Sequence, residues 1–232
     1  MSITSTDTTP TRFELVAFDL YRDIHKGIRT ELFAVTTSAG QTDPTDRTAR
    51  SALAGHVRDV QWLLDTHAEH EDAAVQPLIE VHLPEVAERV AADHHAFDSR
   101  VESLVGLAIE AADAADPRRL LHKLYIDLAS FTSAYLTHQE LEERVIMPGL
   151  EAAIGVEAVI GVHQQIIGAI PPQDMARSLA LMLPAMNLDD RTEMLGGMRA
   201  GAPAEVFEGV WSLAGSVLDS ADYAALATRL GL

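Results

Sequence analysis

The chain has 232 residues, 47% hydrophobic, 5% aromatic and 22% charged, with 35 acidic against 17 basic side chains and a formal net charge of −18. That length suits one large domain or a domain with an appendage, and the negative field disfavours a nucleic-acid backbone or an anionic membrane surface as partner. There is no cysteine, which removes disulfides, thiolate zinc sites, iron–sulfur clusters and cysteine nucleophiles, and leaves His, Asp and Glu as the metal-binding side chains.

Four long segments carry apolar residues at the three-and-four spacing of an amphipathic helix. The first spans about 12–37, with the stripe Phe18, Tyr21, His25, Ile28, Leu32. After the breaker SAGQTDPTD the second spans about 45–80, with Val57, Val60, Leu64, His67, Glu71, Ala74 and Leu78 on one face. The third opens at Pro84, a favoured first helical position, and reaches about 113 through Leu83, Val86, Val90, His94, Phe97, Val101, Leu104 and Ala108. The fourth is expected to be capped by Asp116, to begin at Pro117 and to reach about 149. Its stripe reads Leu121, Tyr125, Leu128, Phe131, Tyr135, His138, Glu142, Val145.

No segment alternates with period two for long enough to predict a strand. Long helices joined by short loops predict an all-α protein, an antiparallel up-down four-helix bundle over residues 1–150. Past Pro148-Gly149 the pieces AIPPQD, NLDDR, RAGAPAE and LDSADY separate shorter apolar runs. Residues 151–232 are therefore expected to form a C-terminal extension of four or five short helices packed on the bundle. Its MLPAM, MLGGM and VFEGVW pieces read as packing material. The opening residues show no basic-then-apolar leader and no run approaches eighteen apolar residues, so the expectation is a cytoplasmic protein with no membrane partner.

The polar residues on the apolar stripes carry the chemistry. HAEHEDAAVQP (67–77) and HQELEERVIMP (138–148) share one frame: His, then Glu four positions on, an acid, and Pro six positions after the Glu. In each, His and Glu lie at i, i+4 and share the face that the bundle hides. His25 and His94 repeat the anomaly singly on the other two helices. Burying imidazoles and carboxylates is costly unless something satisfies them. One histidine on an apolar face is usually a hydrogen-bonded core residue, but four in phase on four helices, with two carboxylates at matched offsets, point to ligands. His25, His67, Glu71, His94, His138 and Glu142 are too many for one structural zinc and suit two ions bridged by carboxylates.

These residues resemble the hemerythrin-like, HHE cation-binding family, whose ordered pattern H…HxxxE…H…HxxxE falls here on His25, His67 with Glu71, His94, and His138 with Glu142. The tails EDAAVQP and EERVIMP and the stretch YRDIHKGIR fit the same likeness, which covers about residues 12–150. It implies a four-helix bundle around two iron ions, oxo- or hydroxo-bridged, that handles O₂, H₂O₂ or NO. The oxygen-carrying members use a fifth histidine, in an HxxxH on the third helix; here Asp98 stands four residues after His94, and the fourth-helix acid is Glu at i+4. The resemblance therefore favours catalase-like or NO-detoxifying oxidoreductase chemistry over oxygen transport, with an iron- or oxygen-sensing module without turnover as the alternative.

Each ion would keep a position beyond its protein donors. Tyr21, one turn before His25, is placed there as an additional ligand or a hydrogen-bonding neighbour, and Tyr135, one turn before His138, as a neighbour. His163 lies on an apolar face outside the pattern and reads as structural or as a neighbour of the ligands, with metal contact the lesser alternative. His56, His70, His82, His95 and His122 fall off phase and read as surface residues or caps. Neither a GxSxG nor a GxxxxGK[ST] motif occurs, so serine hydrolysis and phosphate-loop chemistry find no support.

Overall fold

The computed structural model describes residues 14–232, which are helical with no strand among them. Two compact units divide the chain. One takes the residues through Arg22 together with Val35–Gly168; the other takes Asp23–Ala34 with Ala169–Leu232.

Helix α1 (Arg22–Gln41) begins later than the apolar periodicity predicts. Asp19 sets the start: its carboxylate accepts from the amides of Tyr21 at 2.9 Å and Arg22 at 3.1 Å, donors that a helix N-terminus otherwise leaves open. Ahead of it, Glu151 accepts from the amides of Ala17 and Phe18. Residues 12 and 13 of the predicted helix lie outside the described residues. At the other end α1 runs into the first residues of the predicted breaker and stops at Gln41, where the Thr42 hydroxyl donates to the Ser38 carbonyl at 2.7 Å.

In the first unit α2 (Arg47–Ala74), α4 (Pro84–Asp113) and α5 (Arg118–Leu141) join the second half of α1 in the up-down bundle. The antiparallel order is visible in the cross-links. Buried Arg50, near the start of α2, donates from Nη1 to the carbonyls of Ala111 and Ala114, both at 2.9 Å, closing the C-terminus of α4. At the opposite end of the same pair, Asp72 meets His94. Phe97 of α4 packs on Phe131 and Tyr135 of α5, and Thr36 of α1 meets Thr132 of α5 at 3.1 Å.

Two features of α5 differ from the sequence reading. The helix starts at Arg118 with Pro117 in the cap position and no side-chain cap, so Asp116 does not serve as one. Tyr125 is 41% exposed and Leu124, three residues after Leu121 and four before Leu128, takes the buried place; the Tyr125 ring lies against Gly40 of α1, where a Cβ would stand 3.2 Å from it.

The repeated prolines explain where the second and fourth segments break. Proline donates no amide, and its ring collides with the carbonyl four residues back. After Pro77's frame α2 stops at Ala74, Val75 turns, and α3 (Gln76–His82) restarts with the proline in its first turn. After Pro148's frame the helix widens instead. Residues Glu142–Ile146 form a π turn in which the Met147 amide reaches back to the Glu142 carbonyl, and α6 (Met147–Ile154) carries on. Each proline thus interrupts regular helix within a turn of a buried carboxylate. Val75, Ile79, Ala87, Val90, Leu141, Ile146 and Leu150 fill the space beneath.

Gly155 separates α6 from α7 (Val156–Ala169) with φ 80° and ψ 156°, a conformation that L side chains avoid. No heavy atom lies within 4 Å of the Cβ an alanine would add, so its penalty is purely backbone. Gly155→Ala is expected to cost about 1–3 kcal/mol in denaturant unfolding. Gly209→Ala, also free of neighbours but in regular helix, should gain up to about 1 kcal/mol.

The second unit comprises Asp23–Ala34 with α8 (Pro172–Ala185), α9 (Leu188–Gly201), α10 (Ala204–Val217) and α11 (Ser220–Leu230). Leu179, Leu183, Leu195, Ala214 and Leu226 form its core, and Trp211 stacks on Tyr223 with centroids 4.5 Å apart. Buried Arg191 ties the helices together, donating from Nε to the Leu183 carbonyl at 2.7 Å and from Nη1 to Asp222 at 2.6 Å. Asp190 beside it pairs with Lys26. The MLPAM, MLGGM and VFEGVW pieces, read as packing material, pack within this unit. No single helix among the described residues is long and apolar enough to cross a membrane.

Candidate metal centre

The i, i+4 pairs land inside. His25, His67, Glu71, His94, His138 and Glu142 are all buried, at 8% exposure or less. Helical phase is the cause: each replaces an apolar residue on a stripe that the bundle must cover.

Two groups of donors form, each with its ligand atoms within 4.8 Å of one another. One holds Glu71, His94, His138 and Glu142; the other holds His25, His67, Glu71 and Glu142. The carboxylates of Glu71 and Glu142 belong to both. Glu142 Oε1 stands 2.9 Å from His138 Nε2 and 3.9 Å from His94 Nε2, while Glu71 Oε2 stands 3.5 Å from both His67 Nε2 and His94 Nε2.

The imidazoles of His94 and His138 test whether a cation fits. Their Nε2 atoms face each other at 3.1 Å, and each Nδ1 points at a carboxylate: Asp72 Oδ1 at 2.8 Å for His94, Asp93 Oδ2 at 3.4 Å for His138. With both Nδ1–H groups committed to acids, two lone pairs are aimed at the same space. They repel unless a positive charge lies among them. Four imidazoles and two carboxylates are borderline donors that suit iron, manganese or zinc.

Without metal, protons supply that charge. Burial works against protonating His94, but hydrogen bonds to Glu142, Glu71 and Asp72 outweigh it and raise its pKa to about 11. Burial likewise opposes protonation of His138, and the Glu142 charge with the Asp93 hydrogen bond raises it to about 9. Both folded values exceed the ordinary 6.5, so the stability these protons give the metal-free protein is complete below 6.5 and is lost as pH climbs through about 9 and then about 11. Denaturant unfolding of metal-free protein should therefore show a midpoint that falls between about pH 8 and about pH 10, and a flat midpoint would contradict the assignment.

Tyr21 is buried at the entry to α1, with its phenol in the field of the Glu71 and Glu142 carboxylates. Burial first, then the charges of Glu71 and Glu142, hold that phenol well above its ordinary pKa, so in metal-free protein it stays a donor. Tyr135 is also buried and lies against the His138 ring, centroids 5.9 Å apart, with Phe97 on the same ring at 5.4 Å. His163 stands edge-on to Phe18 at 5.0 Å and belongs to neither donor group. Of the off-phase histidines, His82, His95 and His122 are exposed and His56 and His70 half-buried.

Sequence reasoning passed over Asp72 and Asp93. The signal for Asp72 was the acid that follows Glu in the repeated frame; Asp93 had none beyond preceding His94 in the chain.

The hemerythrin HHE cation binding domain matches residues 16–150, more than half of the chain and the whole span of the donor frames. The chain belongs to that family. No curated protein and no solved structure matches it. Within the hemerythrin family frame the buried His and Glu groups are compatible with metal binding, and the fold is the family's helical bundle.

Proposed function

We propose that the chain is a non-haem di-iron protein that processes H₂O₂ or NO, in preference to carrying O₂. The observation that supports it is the overlap of the two donor groups on Glu71 and Glu142. Two ions sharing two carboxylates would each receive two imidazoles: His25 and His67 for one, His94 and His138 for the other. Such a set would leave each ion short of six donors, with room for a small molecule. Bound iron would supply the one- and two-electron chemistry that no side chain in this cysteine-free chain offers.

The protein's own groups would do the rest. Glu71 and Glu142 would hold the charge of the pair, and the Phe97, Phe131 and Tyr135 rings would limit water at the His138 side. Tyr21 would offer a proton or a ligand atom beside Glu71. The absence of a fifth histidine, with Asp98 exposed in the place the oxygen carriers give it, favours turnover over reversible carriage. Mixed iron–manganese or iron–zinc loading would fit the same donors.

The test is turnover by iron-loaded protein. Oxygen release from H₂O₂, followed at an oxygen electrode, or consumption of dissolved NO is expected, and His138→Ala should abolish it. Iron-replete protein inert to both would overturn the reading.

A further inference from the structure

We infer that Asp72 and Asp93 are positioning residues of this centre: each takes the Nδ1–H of a ligand imidazole and so aims its Nε2 at the cation. The inference rests on the dinuclear reading above and gives a role to two residues outside the six donors. An imidazole has two nitrogens, and only one can face a metal as a lone pair while the other keeps its proton. Asp72 Oδ1 at 2.8 Å fixes that choice for His94, and Asp93 Oδ2 at 3.4 Å does so for His138.

Their places in the chain tie the helices together in order. Asp72 follows Glu71 on α2 and reaches His94 on α4; Asp93 precedes His94 on α4 and reaches His138 on α5. A segment that presents one donor therefore orients the donor on the next helix. The two contacts are unequal. The longer Asp93 contact is shared with Arg89, whose Nε lies 3.8 Å away, which draws off part of its negative charge. Asp72 should matter more. Both acids are partly in water, with side chains 53% and 34% exposed, so neither is needed to fill the core.

Iron affinity, measured by chelator competition on the full-length chain, together with the visible spectrum of the loaded protein, tests this. Asp72→Ala should weaken iron binding about 10–100-fold and move the visible band. Asp93→Ala should do so less, and D72N, whose amide oxygen still accepts the Nδ1–H, should recover part of the loss. The metal-free variants should keep wild-type helix content by circular dichroism, which a role in packing would not allow. Wild-type affinity and an unmoved band in both alanine variants would overturn the inference, as would a D72N as weak as D72A, which would assign the effect to charge instead of orientation. A wild-type chain that takes up no iron would overturn the dinuclear reading itself, and the inference with it.

Discussion

Glu142→Ala is expected to leave the chain folded with at least one metal fewer per chain than wild type and most of its activity gone. Glu142 is 1% exposed, lies 2.9 Å from His138 Nε2, and belongs to both donor groups. On the dinuclear reading proposed above, its removal would take a donor from each ion at once and would leave two like charges with one carboxylate between them. Glu71→Ala should behave alike, since Glu71 also belongs to both groups. Glu142→Gln keeps volume and separates lost charge from lost shape. It should fold and still lose metal. Full metal retention in either alanine variant, measured by elemental analysis, would show that the carboxylates do not bridge.

Phe131→Ala should be the most damaging substitution to stability. The ring is 1% exposed and packs edge-on to Phe97 at 5.7 Å and against Tyr135 at 5.8 Å, with the Arg100 guanidinium 5.2 Å above it. Deleting it removes contacts on three sides, two of them aromatic, and opens a cavity between α4 and α5, where collapse is hindered by the two rings. About 3–5 kcal/mol should be lost, a fall in melting temperature of ~10 °C. Phe97 and Tyr135 also pack on His138, so the cavity should loosen that ligand and lower iron affinity by a smaller factor than Asp72→Ala does. A loss under about 1 kcal/mol would mean that the neighbours close the gap, against the packing described.

The buried polar set was legible because a helix repeats its faces every 3.6 residues. His67 and Glu71, or His138 and Glu142, cannot sit on the stripe of Val57, Val60 and Leu64, or of Leu128, Phe131 and Tyr135, without being carried inside with it. The same rule placed His95 and His122 at the surface. Tyr125 was the wrong choice on that rule: Leu124 stands three residues after Leu121 and four before Leu128, and it is the one buried.

Contacts across helices account for the rest. Asp72 and Asp93 look like ordinary surface acids in one dimension; only the approach of α4 to α2 and of α5 to α4 reveals which imidazole each meets. The start of α1 was hidden similarly: apolar spacing extends upstream of Arg22, but Asp19 claims the amides that begin the helix. The prolines at 77 and 148 were visible, yet the same frame gives a break in one case and a π turn in the other.

Metal content per chain is the direct test of whether six side chains from four helices enclose a pair of cations. Protein expressed in iron-rich medium and freed of loosely held metal by desalting should carry two iron equivalents per chain, with a visible absorption that disappears in Glu142→Ala. Fewer than one equivalent of any transition metal, in protein whose helix content shows it fully folded, would contradict the account.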